Sequence, residues 1–122
     1  VNPLTIEGQL HGSIAQGLGE TLLEEVVYES GTGQLLTGTF MDYAMPHADE
    51  MPEIRSALAP VPTKTNLIGS KGGSEAGNVG APAAIVNAVV DALSPWGIRH
   101  IPLPARPEQI WRALRDAARG KP

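Results

Sequence analysis

A chain of 122 residues has room for one ordinary domain and not for two. Its net charge of −4, with no basic cluster larger than Arg112, Arg115, Arg119 and Lys121, argues against a nucleic-acid surface. The absence of cysteine excludes disulfides, thiolate metal sites and cysteine nucleophiles.

Pro3 stands just ahead of a helical pattern. Leu10, Ile14, Leu18 and Leu22 recur every four residues, with Leu23 and Val26 beside them, which predicts a helix from about Ile6 to Glu25. Gly8, Gly12, Ala15 and Gly19 make a second, small-residue stripe on it. Each interior glycine costs a helix about 1 kcal/mol against alanine, so the stripe is expected to face either another backbone or a bulky ligand.

Two β-prone runs in "VVYESGTGQLLTG" flank Ser30-Gly31-Thr32-Gly33 and predict a β-hairpin. "FMDYAMPHADEMPE" reads as a strand followed by irregular loop, and "IRSALAPVPT" as a short strand ended by Pro60 and Pro62. The glycine-rich stretch "GSKGGSEAGNVGAP" follows. Pro82 then suits the first turn of a helix. Ile85, Val86, Val89, Val90 and Leu93 form that helix's apolar face, and Pro95 and Gly97 close it. "IRHIPL" reads as one more strand. Pro107-Glu108 opens a last helix, with Ile110, Trp111, Leu114 and Ala118 turned inward. The order predicts an α+β fold: three helices with a β-hairpin and short strands.

No apolar stretch approaches the roughly 20 residues a bilayer span needs. The opening "VNPLTIEGQ" lacks the basic start and apolar run of a signal peptide. The expectation is therefore a cytoplasmic protein with no membrane and no nucleic-acid partner.

The glycine-rich stretch is neither a Walker loop, since Lys71 is followed by Gly72, nor a dinucleotide fingerprint. "GGSEA" ends in Ala76, where a nucleophile elbow needs glycine, so a serine hydrolase built on Ser74 and His100 is disfavoured. His11, His47 and His100 lack metal-ligand spacing. The stretch does offer bare backbone, whose N–H groups can point at a ligand beside a helix N-terminus, with one carboxylate, Glu75, among them. Read from the residues alone, Glu75 is either a general base close to such a ligand or a solvated loop glutamate.

Three blocks, "VNPLTIEGQLHGSIAQGLGETLLEE", "GTFMDYAMP" and "KGGSEAGNVGAPAAIVNAVVDAL", occur in order, and "PARPEQIWRAL" follows. Together they resemble the molybdenum hydroxylases: xanthine dehydrogenase, the aldehyde oxidases and, most of all, the large subunit of aerobic carbon monoxide dehydrogenase. The resemblance implies a single, partial molybdopterin-binding domain over residues 1–122, the C-terminal part of a catalytic subunit several times longer. It makes Glu75, in the family's "KGxGE" position, the active-site base beside molybdenum. That base takes a proton from the hydroxyl whose oxygen attacks an electron-poor carbon. It makes Gln9 a hydrogen-bonding partner of the cofactor and places Lys71, Gly72, Gly73 and Ser74 along it.

The implied cofactor is a molybdopterin-type molybdenum cofactor, held by the complete subunit and expected to be absent from the isolated chain. The implied partners are the rest of the molybdenum subunit and flavin and iron–sulfur subunits. On its own the chain is expected to be inactive and to self-associate. An alternative is a non-catalytic structural or interaction fragment of such a subunit.

Two departures from the family pattern stand out. Ser74 replaces a glycine before the glutamate. Arg106 replaces a threonine before Pro107, giving up a helix cap worth about 1 kcal/mol. The start at "VNP", inside a family motif, suggests excision or truncation.

Overall fold

In the computed structural model the described residues are 2–120; Val1 and Lys121 of the basic tail lie outside them. The first helix, α1, runs Pro3–Leu22. Asn2 caps it, its side chain accepting from the Thr5 N–H at 3.3 Å, and Pro3 at the first position has no N–H to leave unpaired. The helix ends where the N–H groups of Leu23 and Glu24 both turn back to the Gly19 carbonyl, at 3.0 and 2.8 Å.

The second helix, α2, runs Ala76–Leu93. It begins at Ala76 and not near Pro82, so the proline expected in the first turn lies inside the helix. A one-turn 3₁₀ helix, Ser94–Trp96, carries it on, and Gly97, with φ +76°, closes it as expected. By length and composition the stretch Ala76–Trp96 would suffice to cross a membrane, contrary to the expectation that no stretch reaches that size. The last helix, α3, runs Pro107–Ala118. Arg106 ahead of it makes no side-chain cap; its guanidinium instead pairs with Glu25 at 2.6 Å.

The expected α+β fold is not what forms: among the described residues there is no strand, and the architecture is helical with long irregular segments. The predicted hairpin does reverse at Glu29–Gly33, and the Leu36 N–H reaches the Val27 carbonyl at 2.8 Å. Pairing stops at a single antiparallel bridge, Tyr28 to Leu35. "FMDYAMP", "IRSALAPVPT" and "IRHIPL" form no ladder. The reason is pairing, not propensity. A strand needs a neighbour to take its N–H and C=O groups, and a lone hairpin is marginal in water. Pro46, Pro60, Pro62 and Pro102 also remove donors from these segments.

A small apolar core sits where the C-terminal ends of α1 and α2 meet α3. Leu93, Ile101 and Ala105 are buried, with Leu22, Val89, Ile110 and Leu114 packed on them. The Ala105 N–H donates to the Thr21 carbonyl at 2.6 Å, tying the approach to α3 onto α1. Ile110 and Leu114 turn inward as expected. Trp111 does not: it is 57% exposed, with the Arg115 guanidinium 4.9 Å from its ring centre. Ala118 is exposed as well.

Helices α1 and α2 cross closely through small residues. A Cβ on Gly17 would lie 2.8 Å from the Ala81 Cβ, and one on Gly77 would meet the Ile14 nitrogen and Leu10 carbonyl oxygen at 2.9 Å. The predicted small-residue stripe is not this contact. Gly8 and Gly12 have open space where a Cβ would go.

Candidate functional site

The N-terminal half of α1, residues 58–62 and the loop 68–74 enclose an open cleft of about 860 Å³. Gln9, Lys71, Gly72, Gly73 and Ser74 all line it, so the fold brings Gln9 to the four consecutive loop candidates about 60 residues further along the chain. The loop is seated by the absence of side chains. A Cβ on Gly73 would run into Ile6 Cδ1, so Gly73 rests directly on α1. A Cβ on Gly72 would have nothing within 4 Å, leaving bare backbone there.

The approach to the loop is held by hydrogen bonds. The Thr63 N–H donates to the Gly69 carbonyl at 3.1 Å, and Gly69 takes φ +65° against Pro62. The Asn66 side chain donates to the Ser70 carbonyl at 2.9 Å and accepts from the Ser70 N–H at 3.0 Å. The Ser56 hydroxyl donates to Glu7 at 3.1 Å, linking the chain ahead of the cleft wall to α1. Neither Asn66 nor Glu7 was among the sequence candidates. The sequence signal for Asn66 is an asparagine shortly before a glycine, a common turn pairing.

Among the described residues the backbone N–H groups of Lys71 to Ser74 have no acceptor. With the Lys71 ammonium and the Gln9 amide they form a donor-rich face suited to an anionic, hydrogen-bonding ligand. Leu58, Val61 and Ile68, each at least half exposed, add apolar lining to the cleft. The donor set and the open backbone at Gly72 fit a phosphorylated pterin.

Glu75 lies apart from that lining. It is the residue immediately before α2, at φ −96° and ψ −2°, and its carbonyl accepts the first helical bond from the Val79 N–H at 3.1 Å. Its carboxylate is exposed, makes no cap and does not line the cleft. Among the described residues no group of three or more His, Asp or Glu side chains is placed to hold a metal ion. A second, smaller cavity of about 230 Å³ surrounds the Glu25–Arg106 pair.

The sequence matches the family model of the molybdopterin cofactor-binding domain over residues 1–52, which include Gln9. It is 41% identical to the nicotine 6-hydroxylase large subunit of Paenarthrobacter nicotinovorans over 94% of this chain. It is 33% identical to the carbon monoxide dehydrogenase large chain of Hydrogenophaga pseudoflava over 95%. In each case the chain spans only 14% of the relative's length. Both relatives are named as the large member of an enzyme that therefore has other subunits. The crystal structure of quinoline 2-oxidoreductase from Pseudomonas putida 86 superposes with a TM-score of 0.88 at 42% identity, covering 95% of this chain and 15% of that one. Along nearly its whole length the chain is thus similar to one segment of the large subunits of such enzymes, and its first part matches the molybdopterin cofactor-binding domain.

Proposed function

We propose that this segment is the C-terminal part of a molybdenum-dependent hydroxylase or dehydrogenase subunit and that it forms one wall of the cofactor pocket. The observation that carries the reading is the convergence of Gln9 with Lys71–Ser74 in a single donor-rich cleft. When bound, the molybdopterin cofactor supplies two-electron redox chemistry and an activated water. The chain's own residues do the rest. The Gln9 amide hydrogen-bonds the cofactor, the Lys71 ammonium offsets its negative charge, and the unpaired N–H groups of 71–74 hold its oxygens. Glu75, fixed at the start of α2, would take up on its carboxylate the proton that the activated water gives up.

The exposed apolar segments are covered, in this reading, by the rest of the large subunit. Flavin and iron–sulfur subunits complete the assembly, in the cytoplasm.

The test is Glu75→Gln in the complete large subunit, assayed with quinoline, nicotine and carbon monoxide, the compounds that name its relatives. A positioned general base contributes about 10²–10⁴-fold. The variant should lose at least about 10²-fold in turnover, with its molybdenum content unchanged. Near-normal turnover in the loaded variant overturns the base assignment and leaves a structural role for this segment.

A further inference from the structure

We infer that Asn66, which lies outside the cleft lining, is a positioning residue that sets the loop carrying Lys71–Glu75. The inference rests on the function proposed above. Among the described residues the segment 71–74 makes no backbone hydrogen bond, and it hangs between two fixed points. At its far end Glu75 is locked into the first turn of α2 by the Val79 N–H. At its near end, among the described residues, the hydrogen bonds on the Ser70 main chain come from Asn66, which engages both its N–H and its carbonyl. Between them Gly73 lies close against the Ile6 side chain.

A short segment pinned at both ends has few conformations; freeing one end lets it explore many more. Asn66 has the side chain this task needs. One amide supplies a donor and an acceptor side by side, and no other residue of its size does so without charge. Aspartate would keep the acceptor for the Ser70 N–H but set a carboxylate against the Ser70 carbonyl. Gly69, at φ +65° and with a Cβ position only 2.8 Å from the Pro62 Cβ, leaves the intervening turn little room to adjust. The Asn66 contact therefore governs where Ser70, and so Lys71 onward, enters the cleft.

The experiment compares Asn66→Ala and Asn66→Asp in the complete, cofactor-loaded large subunit. Three quantities are read: hydrogen exchange of peptides covering 69–75, the electron paramagnetic resonance signal of the dithionite-reduced molybdenum centre, and the melting temperature. Loss of both bonds should speed exchange in that peptide about tenfold and alter the shape of the resonance signal, at unchanged molybdenum content. Asn66→Asp, keeping one bond, should fall between wild type and Asn66→Ala in both readings. An unaltered resonance signal in the variants, whether exchange speeds up or only the melting temperature drops, overturns the inference and leaves Asn66 a local structural residue. That result leaves the proposed function standing if Glu75→Gln is inactive. Normal turnover in Glu75→Gln overturns the catalytic reading and this inference with it.

Discussion

Gly17 of α1 and Ala81 of α2 meet where a side chain is missing: a Cβ on Gly17 would sit 2.8 Å from that of Ala81 and 3.1 Å from Pro82 Cδ. Gly77 returns the relationship from the other helix, against the backbone of Leu10 and Ile14. Substitution should therefore divide the glycines of α1 and α2 into two classes. Gly17→Ala must push the helices apart, an overpacking cost of about 1–3 kcal/mol, against a helix-propensity gain of about 1 kcal/mol. Gly77→Ala should be the more damaging, because backbone atoms cannot swing aside. Gly8→Ala and Gly12→Ala meet nothing and should stabilise by up to about 1 kcal/mol. Urea midpoints for the four variants check this; a uniform response would show that the crossing is not close-packed.

Much of the apolar surface has no cover. Phe40, Met41 and Leu67 are 85%, 93% and 106% exposed, and Leu4, Val61, Ile68 and Val79 are each at least 70% exposed. Contiguous apolar surface drives association. The isolated chain should self-associate at micromolar concentration in sedimentation velocity, and a single monomer boundary across the concentration range would contradict this.

Two contacts of opposite sign make the central segment sensitive to pH. Hydrogen bonds from the Thr32 hydroxyl and then the Gly31 and Thr32 N–H groups hold the Glu29 carboxyl below its ordinary value. A depressed carboxyl stabilises above its unfolded value and loses that contribution as pH falls through the folded one. The turn at 29–33 should thus loosen in acid. The hydrogen bond from the Tyr43 hydroxyl to Glu24, 2.5 Å long, raises the Tyr43 phenol above its ordinary value. A raised phenol stabilises below its unfolded value and loses that contribution as pH rises through the folded one. Glu24→Gln should move the Tyr43 phenolate transition, followed by ultraviolet absorbance, back toward that of a free phenol. An unmoved transition would show that Glu24 does not hold it.

The closing of α2 by Pro95 with Gly97 and the opening of α3 at Pro107 were legible in the sequence, because these are local signals that act within one turn. Helix α1, by contrast, runs Pro3–Leu22 and not the expected Ile6–Glu25. The start of α2 was not legible either. Gly77 and Gly80 are poor helix formers, and Pro82 offered a better local start. Packing of Gly77 and Ala81 on α1 overrides that preference. Periodicity grouped Gly8, Gly12, Ala15 and Gly19 on one face correctly, yet it carries no information about which face meets a neighbour. The expected strands failed for a related reason: Val26, Val27 and Ile101 favour extended backbone, but a ladder depends on a partner that propensity does not reveal. The cleft was legible only through ordered motif blocks, which joined Gln9 to Lys71–Ser74. Asn66 acts through two main-chain bonds to Ser70, which only coordinates display.

The neighbouring glycines of the loop give the sharpest test of which backbone faces the ligand. A Cβ on Gly73 would meet only the side-chain end of Ile6, which can turn aside. Gly72 has no such neighbour and no left-handed φ, so the fold would accept a side chain there. In the complete subunit Gly73→Ala should cost no more than about 1 kcal/mol, because only the Ile6 side chain has to move. Gly72→Val should leave the melting temperature close to wild type while molybdenum per subunit drops after dialysis, because on the proposed function the side chain would fill space that the cofactor takes. Gln9→Ala should also lose molybdenum at unchanged stability, through a missing hydrogen bond of about 0.5–1.5 kcal/mol. Lys71→Ala should do so in a manner that added salt diminishes, since its contribution is a screened charge. A Gly72→Val subunit that melts normally and stays fully loaded would show that the cofactor does not approach the loop at this point. The wall formed by Gln9 and Lys71 would then have to face another part of the ligand.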